Sequence, residues 1–477
     1  MSERESEKTT LDHLITHLRA KNRAPDGQVR PAAILWTDPQ SEWRSLWELL
    51  LARLGELLVL GDYQPGKRTG PAIWIRCLVD RALAEPKLPE ERAPIVYLPG
   101  VARQQLRAGE ECPDALKPLV ELLYRGTLWH QPNGHDWTVT AFLTSPKELG
   151  FDIARDRLTH EALLRALPEV ALLPVAQLQG HQLQADDFDR MLTPDVVRDL
   201  LRWLGDPQGT PERLGAGNWE AFCSRCRQEL GFDPETEADV VAGERLGKAE
   251  GPWKSVWERF AEAPNSYPGV TEVLRRSRPA GELPLTRERW PDLNDEDEEA
   301  LRAKLTELTK LSQGEACQAV LDLEKEHGPR RDWVWAGLGL APLAQVLEPL
   351  ARLAAEARTA LGGSTPDEMA TAYLERGWPA DAAAWEALSA ASTTDEALVA
   401  EVVRLMLGLW LEESARAFQA AIERSPLPEP VGQKPARTEE DVCLVFVDGL
   451  RFDLGRRLAE RLEFRGFRVT VEYRWAA

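Results

Sequence analysis

The chain has 477 residues, 43% of them hydrophobic and 29% charged, a composition of globular protein too long for one ordinary core. Its 58 Lys plus Arg stand against 78 Asp plus Glu, and the net charge of −20 excludes non-specific nucleic-acid binding by the surface as a whole, leaving room only for a local basic groove. No run approaches the roughly 18–20 apolar residues of a membrane span, and the polar opening MSERESEKTT is unlike a signal or transit peptide. The expected setting is therefore the cytoplasm, with no membrane partner.

Residues 9–20, TTLDHLITHLRA, read as an amphipathic helix capped by Thr9 or Thr10. Short apolar runs then alternate with helical ones: strand AAILW (32–36), helix 41–54, strand ELLVL (56–60), helix 71–83 with Pro71 at its first position, and strand APIVYL (93–98). That alternation predicts a doubly wound parallel sheet over residues 1–150. Residues 126–144 read as a hairpin, with Asn133-Gly134 in the tight turn.

Residues 151–425 are mainly helical in pattern, as one or two subdomains. Within them DLNDEDEEALRAKL (292–305) fails as a calcium loop, because its sixth position is Asp297 and its twelfth Ala303; an acidic helix start explains it better. SPLPEPVGQKPARTEED (425–441) holds four prolines and reads as a linker (426–441), so a new domain should open at Val442.

Several clusters invite a chemical reading. Gly61, Gly66 and Lys67 in GDYQPGKR have the spacing of a phosphate-binding loop, between a strand and a helix, but Arg68 stands where a Ser or Thr would ligate Mg²⁺. The fit to a surface loop is better, and a nucleotide-binding regulatory module using residues 61–71 is the alternative. His13 and His17 have the i, i+4 spacing of a helical zinc site without its glutamate, and are expected to face water; His130 and His135 are expected to be cross-strand neighbours. Cys223 and Cys226 form the one Cys-x-x-Cys, but Trp219, Phe222 and Leu230 share their helical face, so core packing is expected. Asp38, Pro99 and Gly100 mark the carboxyl ends of predicted strands, where open α/β sheets bind ligands.

The last candidate is CLVFVDGLRFD. LVFV reads as a buried strand with Asp448 at its carboxyl end, Gly449 permits a sharp turn, and Leu454, Leu458 and Leu462 anchor the helix behind. A rigid carboxylate there suits a divalent cation, with Arg451 placed to meet a phosphate oxygen. The same residues equally suit a helix N-terminus capped by Asp448, with Asp453 adding charge in the first turn.

VFVDGLRFD resembles the opening strand and metal-binding turn of the alkaline-phosphatase superfamily. With ILWTDPQSEW, LLVLGDYQPGKRTGPAIWIR, PIVYLPGVARQQLR and NGHDWTVTAFL, the whole chain resembles the N-terminal portion of the PglZ proteins of BREX phage-defence systems. The resemblance implies a phosphatase-type domain holding two divalent cations, often zinc, with Asp448 matching the first ligand. It implies other BREX components as partners, among them the DNA methyltransferase. Residues 442–477 would then be the first β-α-β unit of a truncated domain. Beyond Asp448 the chain has no histidine and one aspartate, Asp453, so two-metal catalysis lacks its ligands and nucleophile, and the chain alone is expected to be inactive and to hold no tight metal. The remaining alternative is a structural helical adaptor in which Asp448 has no role.

Overall fold

The first helix, α1 (Thr10–Ala20), starts where a threonine meets an aspartate three residues on. The Asp12 N–H donates to Thr9 Oγ1 at 3.1 Å and the Thr9 N–H to Asp12 Oδ2 at 3.1 Å, satisfying two backbone donors reciprocally. Leu11, Leu14, Ile15 and Leu18 then fall on one face and are buried. In this computed structural model the described residues are 8–22, 29–107, 112–279, 286–426, 445 and 447–471. The predicted linker after Pro426, and Leu444 and Phe446 of the predicted C-terminal strand, lie outside them. The chain divides into two compact units, Met1–Asp239 and Val240–Ala477.

In the first unit β1 (Ile34–Asp38), β2 (Leu57–Leu60), β3 (Thr69–Gly70), β4 (Ile95–Pro99) and β5 (Thr127–Leu128) form one parallel sheet in the order β3-β2-β4-β1-β5. Ile34 lies opposite Ile95 on one side and Thr127 on the other, and Leu57 pairs with Ile95. These strands are apolar at consecutive positions because both faces are covered, each by its own core. Ile34, Trp36, Leu57, Val59, Ile95 and Tyr97 pack with α1 and with the helix α2 (Trp47–Arg53). The alternate residues Leu35, Leu58, Val96 and Leu98 pack against α3 (Ala72–Val79) and against Leu119 and Leu122. Pro71 caps α3 from outside rather than occupying its first turn.

The sheet core continues past residue 150: the helix α5 (Arg157–Leu172) inserts Ala162, Leu163, Ala166, Leu167 and Val170 into it. The expected hairpin over 126–144 does not form. β5 pairs in parallel with β1, one antiparallel bridge joins His130 to Asp136, and Val139–Thr144 is a helix, α4. Gly134 alone supplies a positive φ, +83°, in the turn.

Gly126 shows why β5 can reach β1. A Cβ there would lie 2.5 Å from the carbonyl oxygen of Ala33 and 2.6 Å from that of Leu122. Gly126→Ala is expected to push β5 away and to destabilise the first unit by about 1–3 kcal/mol in urea unfolding followed by circular dichroism. A stability within error of the parent would show that the strand end gives way without strain.

The first unit continues with the helices α6 (Ala185–Leu192), α7 (Val196–Gly205) and α8 (Ala216–Arg225), and the second unit is helical. α9 (Pro291–Leu308), α10 (Gln313–His327), α11 (Pro342–Glu356), α12 (Trp378–Ala390) and α13 (Glu396–Arg424) share a core built from Leu305, Val320, Leu347, Ala383, Val402 and their neighbours. The acidic stretch 292–305 is helix, as the sequence predicts. The alanine face of α12 (Ala380, Ala383, Ala384, Ala387) lets this helix lie close against α11.

A C-terminal β-α-β unit is not formed among the described residues. Val445 and Val447 are exposed and in no strand, 467–471 has no regular structure, and only the helix α14 (Phe452–Phe464) appears. A strand needs a partner strand for its N–H and C=O groups, and the described residues of the second unit form none. Leu454 and Leu458, expected to anchor the helix, point to solvent.

Candidate functional site

The crevice where ligands gather in open parallel sheets lies between β1 and β4. These strands are neighbours, and the chain leaves β1 toward β2 on one side and β4 toward β5 on the other. Asp38 closes β1 there and is 2% exposed. Its carboxylate accepts the N–H of Glu42 (3.1 Å) and of Trp43 (3.0 Å) and the Tyr97 hydroxyl (2.7 Å), so it caps the turn that leads into α2. Burial first, and then the Asp38 charge, hold the Tyr97 phenol well above its usual range and keep it a donor.

Around Asp38 the other carboxylates are likewise engaged. Glu42, nearly buried, accepts the Val139 N–H at 2.7 Å at the start of α4, with His160 Nε2 at 3.9 Å. The Thr37 hydroxyl donates to Asp136 at 2.6 Å, and the Trp43 indole N–H to the Trp137 carbonyl at 2.9 Å. Gly100, at φ +73°, donates its N–H to the Asp38 carbonyl at 2.8 Å. The crevice is thus a joint that ties residues 127–144 to the sheet, with its carboxylates committed to protein donors. Sequence reading found Asp38 and Gly100; Glu42, Tyr97 and Asp136 carried no local signal.

His17 corrects an expectation. It does not face water: its Nδ1 accepts the Trp129 indole N–H at 2.8 Å, its Nε2 lies 3.4 Å from Glu148, and Trp129, Trp137 and Phe142 surround the ring. Burial lowers its pKa, opposed by Glu148 and aided by Lys21. The unfolded chain therefore binds this proton more readily, and the stability tied to neutral His17 is complete above the ordinary 6.5 and lost as pH falls below it. Between pH 7.5 and pH 5 the melting temperature of the parent is expected to fall further than that of His17→Gln. Parallel profiles would sink the assignment. His130 faces Asp136 across its bridge rather than His135, whose carbonyl accepts the Gln131 N–H at 2.9 Å.

The 61–71 loop folds on itself. The amides of Gly61, Gln64, Lys67 and Arg68 donate to the carbonyls of Gly70, Thr69, Gln64 and Pro65, so these four cannot cradle a phosphate. Gly66 and Lys67 are exposed in a short 3₁₀ turn. Arg68 bonds the carbonyls of Leu51 and Leu54 at the end of α2, a cation on a helix C-terminus. Cys223 and Cys226 are buried, as their apolar face predicts; burial pushes the Cys223 thiol up to about 12 and raises that of Cys226 as well.

At the C-terminal turn Asp448 is exposed and Gly449 has φ +67°. Arg451 is engaged within the chain: its Nε and Nη2 each donate to the Asp453 carboxylate at 2.9 Å, and its guanidinium lies 4.4 Å above the Trp385 ring. Phe452 packs edgewise on Trp378 and beside Tyr373, and Arg457 pairs with Glu386. α14 therefore docks on α12 by its polar and aromatic side. Its apolar side, with Leu454 46% and Leu458 50% exposed, faces outward, and Phe464 at its last position is 94% exposed. Among the described residues no three His, Cys, Asp or Glu side chains are arranged to hold a metal ion, and Asp448 alone does not make such a site. No described helix is long and apolar enough to cross a membrane.

Comparison with protein-family models, with curated proteins and with solved structures finds no match to this chain.

Proposed function

We propose that the chain is the N-terminal scaffold portion of a PglZ-type component of a bacterial phage-defence system, with residues 442–477 the opening element of a metal-dependent phosphatase domain. The observation that supports this most is the orientation of α14. A helix with a polar side and an apolar side normally buries the apolar one; this helix buries Asp453, half-buries Arg456 and Arg457, and leaves Leu454 and Leu458 in solvent. Such a face fits a further body of protein, and the Asp448-Gly449 turn in front of it fits the first ligand of that body's metal site. The chain's own residues supply no complete site, so no catalytic step is assigned to them.

The partners under this reading are the other components of the system, the DNA methyltransferase among them, and the cation is zinc. The test is made on the intact gene product. Its zinc affinity is expected to drop at least about tenfold with Asp448→Asn, since a ligand carboxylate is lost. It is also expected to elute with the methyltransferase as one species in gel filtration. Unchanged zinc binding together with separate elution would leave a structural helical adaptor as the better account, which the exposure of Asp448 already favours in part.

A further inference from the structure

Opposite the crevice, at the amino ends of β1, β4 and β5, the first unit holds a cavity of about 680 Å³. Leu78, Leu83, Pro86, Leu88 and Pro94 give it an apolar floor, and Arg30, Arg81, Lys87, Arg92 and Arg125 form its rim. Five cations around one opening are unexpected in a chain of net charge −20.

Their bonding differs. Arg92 is 3.4 Å from Glu56, and Arg125 is held by Asp80 at 3.2 Å and Glu121 at 3.1 Å, so these two contribute field. Among the described residues Arg30 and Arg81 bond only backbone carbonyls, of Glu91 (3.1 Å) and Glu90 (3.3 Å), and Lys87 has no ion pair. Exposed Glu90 and Glu91 also line the cavity, and their charge offsets part of the rim's attraction for an anion.

Arg81 adds an independent observation. α3 ends in a Schellman motif: the Ala82 N–H donates to the Cys77 carbonyl at 2.8 Å and the Arg81 N–H to that of Leu78 at 3.0 Å. The left-handed position of that motif, φ +58° here, ordinarily belongs to glycine, yet an arginine occupies it and lines the cavity.

We propose that this cavity binds an organic phosphate of mononucleotide size, with its phosphate between Arg30, Arg81 and Lys87 and its apolar part on the floor. The volume lies within the usual range for small-molecule sites, roughly 300–1,000 Å³, and guanidinium pairs suit phosphate oxygens. The proposal is independent of the phosphatase reading and of the 61–71 loop.

Isothermal titration of the full chain at low salt, with ADP as probe, tests it. One ADP is expected to bind saturably, with adenosine and pyrophosphate each about tenfold weaker or more, because each lacks one half of the recognised chemistry. Arg81→Gly and Lys87→Ser are each expected to weaken ADP by about tenfold, the scale of one charge-assisted hydrogen bond. Arg81→Gly should keep or raise the melting temperature, since glycine relieves the backbone, so weakened binding cannot be put down to misfolding. Lys67→Ala should change nothing. Absence of saturable binding, pyrophosphate binding as tightly as ADP, or affinity lost with Lys67→Ala but kept in Arg81→Gly would each overturn the proposal.

Discussion

Arg330→Met is expected to destabilise the helical unit by about 3–5 kcal/mol, the scale for breaking one side of a buried ion pair. Arg330 and Glu298 are 3% and 6% exposed and meet at 2.8 Å. The same Nη2 also reaches the Asn294 carbonyl (3.0 Å) and its side-chain oxygen (2.8 Å), and Glu298 accepts the N–H groups of Leu343 (2.9 Å) and Ala344 (3.4 Å) at the start of α11. One carboxylate therefore caps a helix and neutralises a cation brought from elsewhere in the chain. Burial already raises the Glu298 pKa, against the pull of those donors and Arg330. Without the guanidinium it rises further. The folded state then holds this proton more tightly than the unfolded one, so the deficit of Arg330→Met should be larger at pH 8 than at pH 5. The double variant Glu298→Gln/Arg330→Met removes the orphaned charge and should recover part of the loss at pH 8. Urea titrations of the single and double variants at both pH values give the coupling; strict additivity would show that the pair is not the relevant contact.

Trp129→Ala should be comparably damaging to the first unit, by about 3–5 kcal/mol. Trp129 is fully buried directly after β5, where its N–H donates to the Leu35 carbonyl at 2.8 Å. Its ring centroid lies 4.9 Å from that of Trp36, 5.8 Å from those of Trp43 and Phe142, and 6.0 Å from that of Trp137. Truncation would open a cavity that these rigid rings cannot close. Trp129→Phe separates packing from hydrogen bonding: it keeps an aromatic ring but no donor for His17 Nδ1. Neutral His17 then loses a partner, so the phenylalanine variant is expected to show a shallower decline of melting temperature below pH 6.5 than the parent. A loss below about 1 kcal/mol for Trp129→Ala in urea unfolding would mean that the cluster repacks.

Both sites show how far local patterns reach. AAILW, ELLVL and APIVYL were legible because strands buried on both faces must be apolar at every position, and length separates them from helices. WTVTAFL was misread as strand. Its β-branched residues alternate with apolar ones, but Thr138 caps a helix through the Ala141 N–H (3.1 Å), and Glu42, 97 positions away, accepts the N–H of Val139. No window of sequence contains that contact. The strand reading failed at Val445 and Val447 for the complementary reason. Hydrophobicity and β-propensity describe a residue suited to a sheet, and a sheet also requires neighbouring strands.

The candidate sites divide in the same way. Asp38 and Gly100 were visible as strand ends, and the Cys223–Cys226 face as core. Arg451 looked like a phosphate ligand because sequence shows a donor's presence and not its engagement; in the fold it holds Asp453 and stacks on Trp385. His17 looked exposed because a helical wheel knows only its own helix, whereas the indole that bonds it comes from a strand end 112 residues away.

The parallel sheet, the helical region after it, the capping of α1 and the absence of a membrane-spanning helix from the described residues were legible in advance, because each follows from periodicity, caps or run length within one segment. Which polar groups are already satisfied, which face of α14 is turned outward, and that the rim cations of Arg30, Arg81 and Lys87 meet at one cavity emerge from the folded chain alone. Those are relations between segments, fixed by packing rather than by any stretch of residues taken alone.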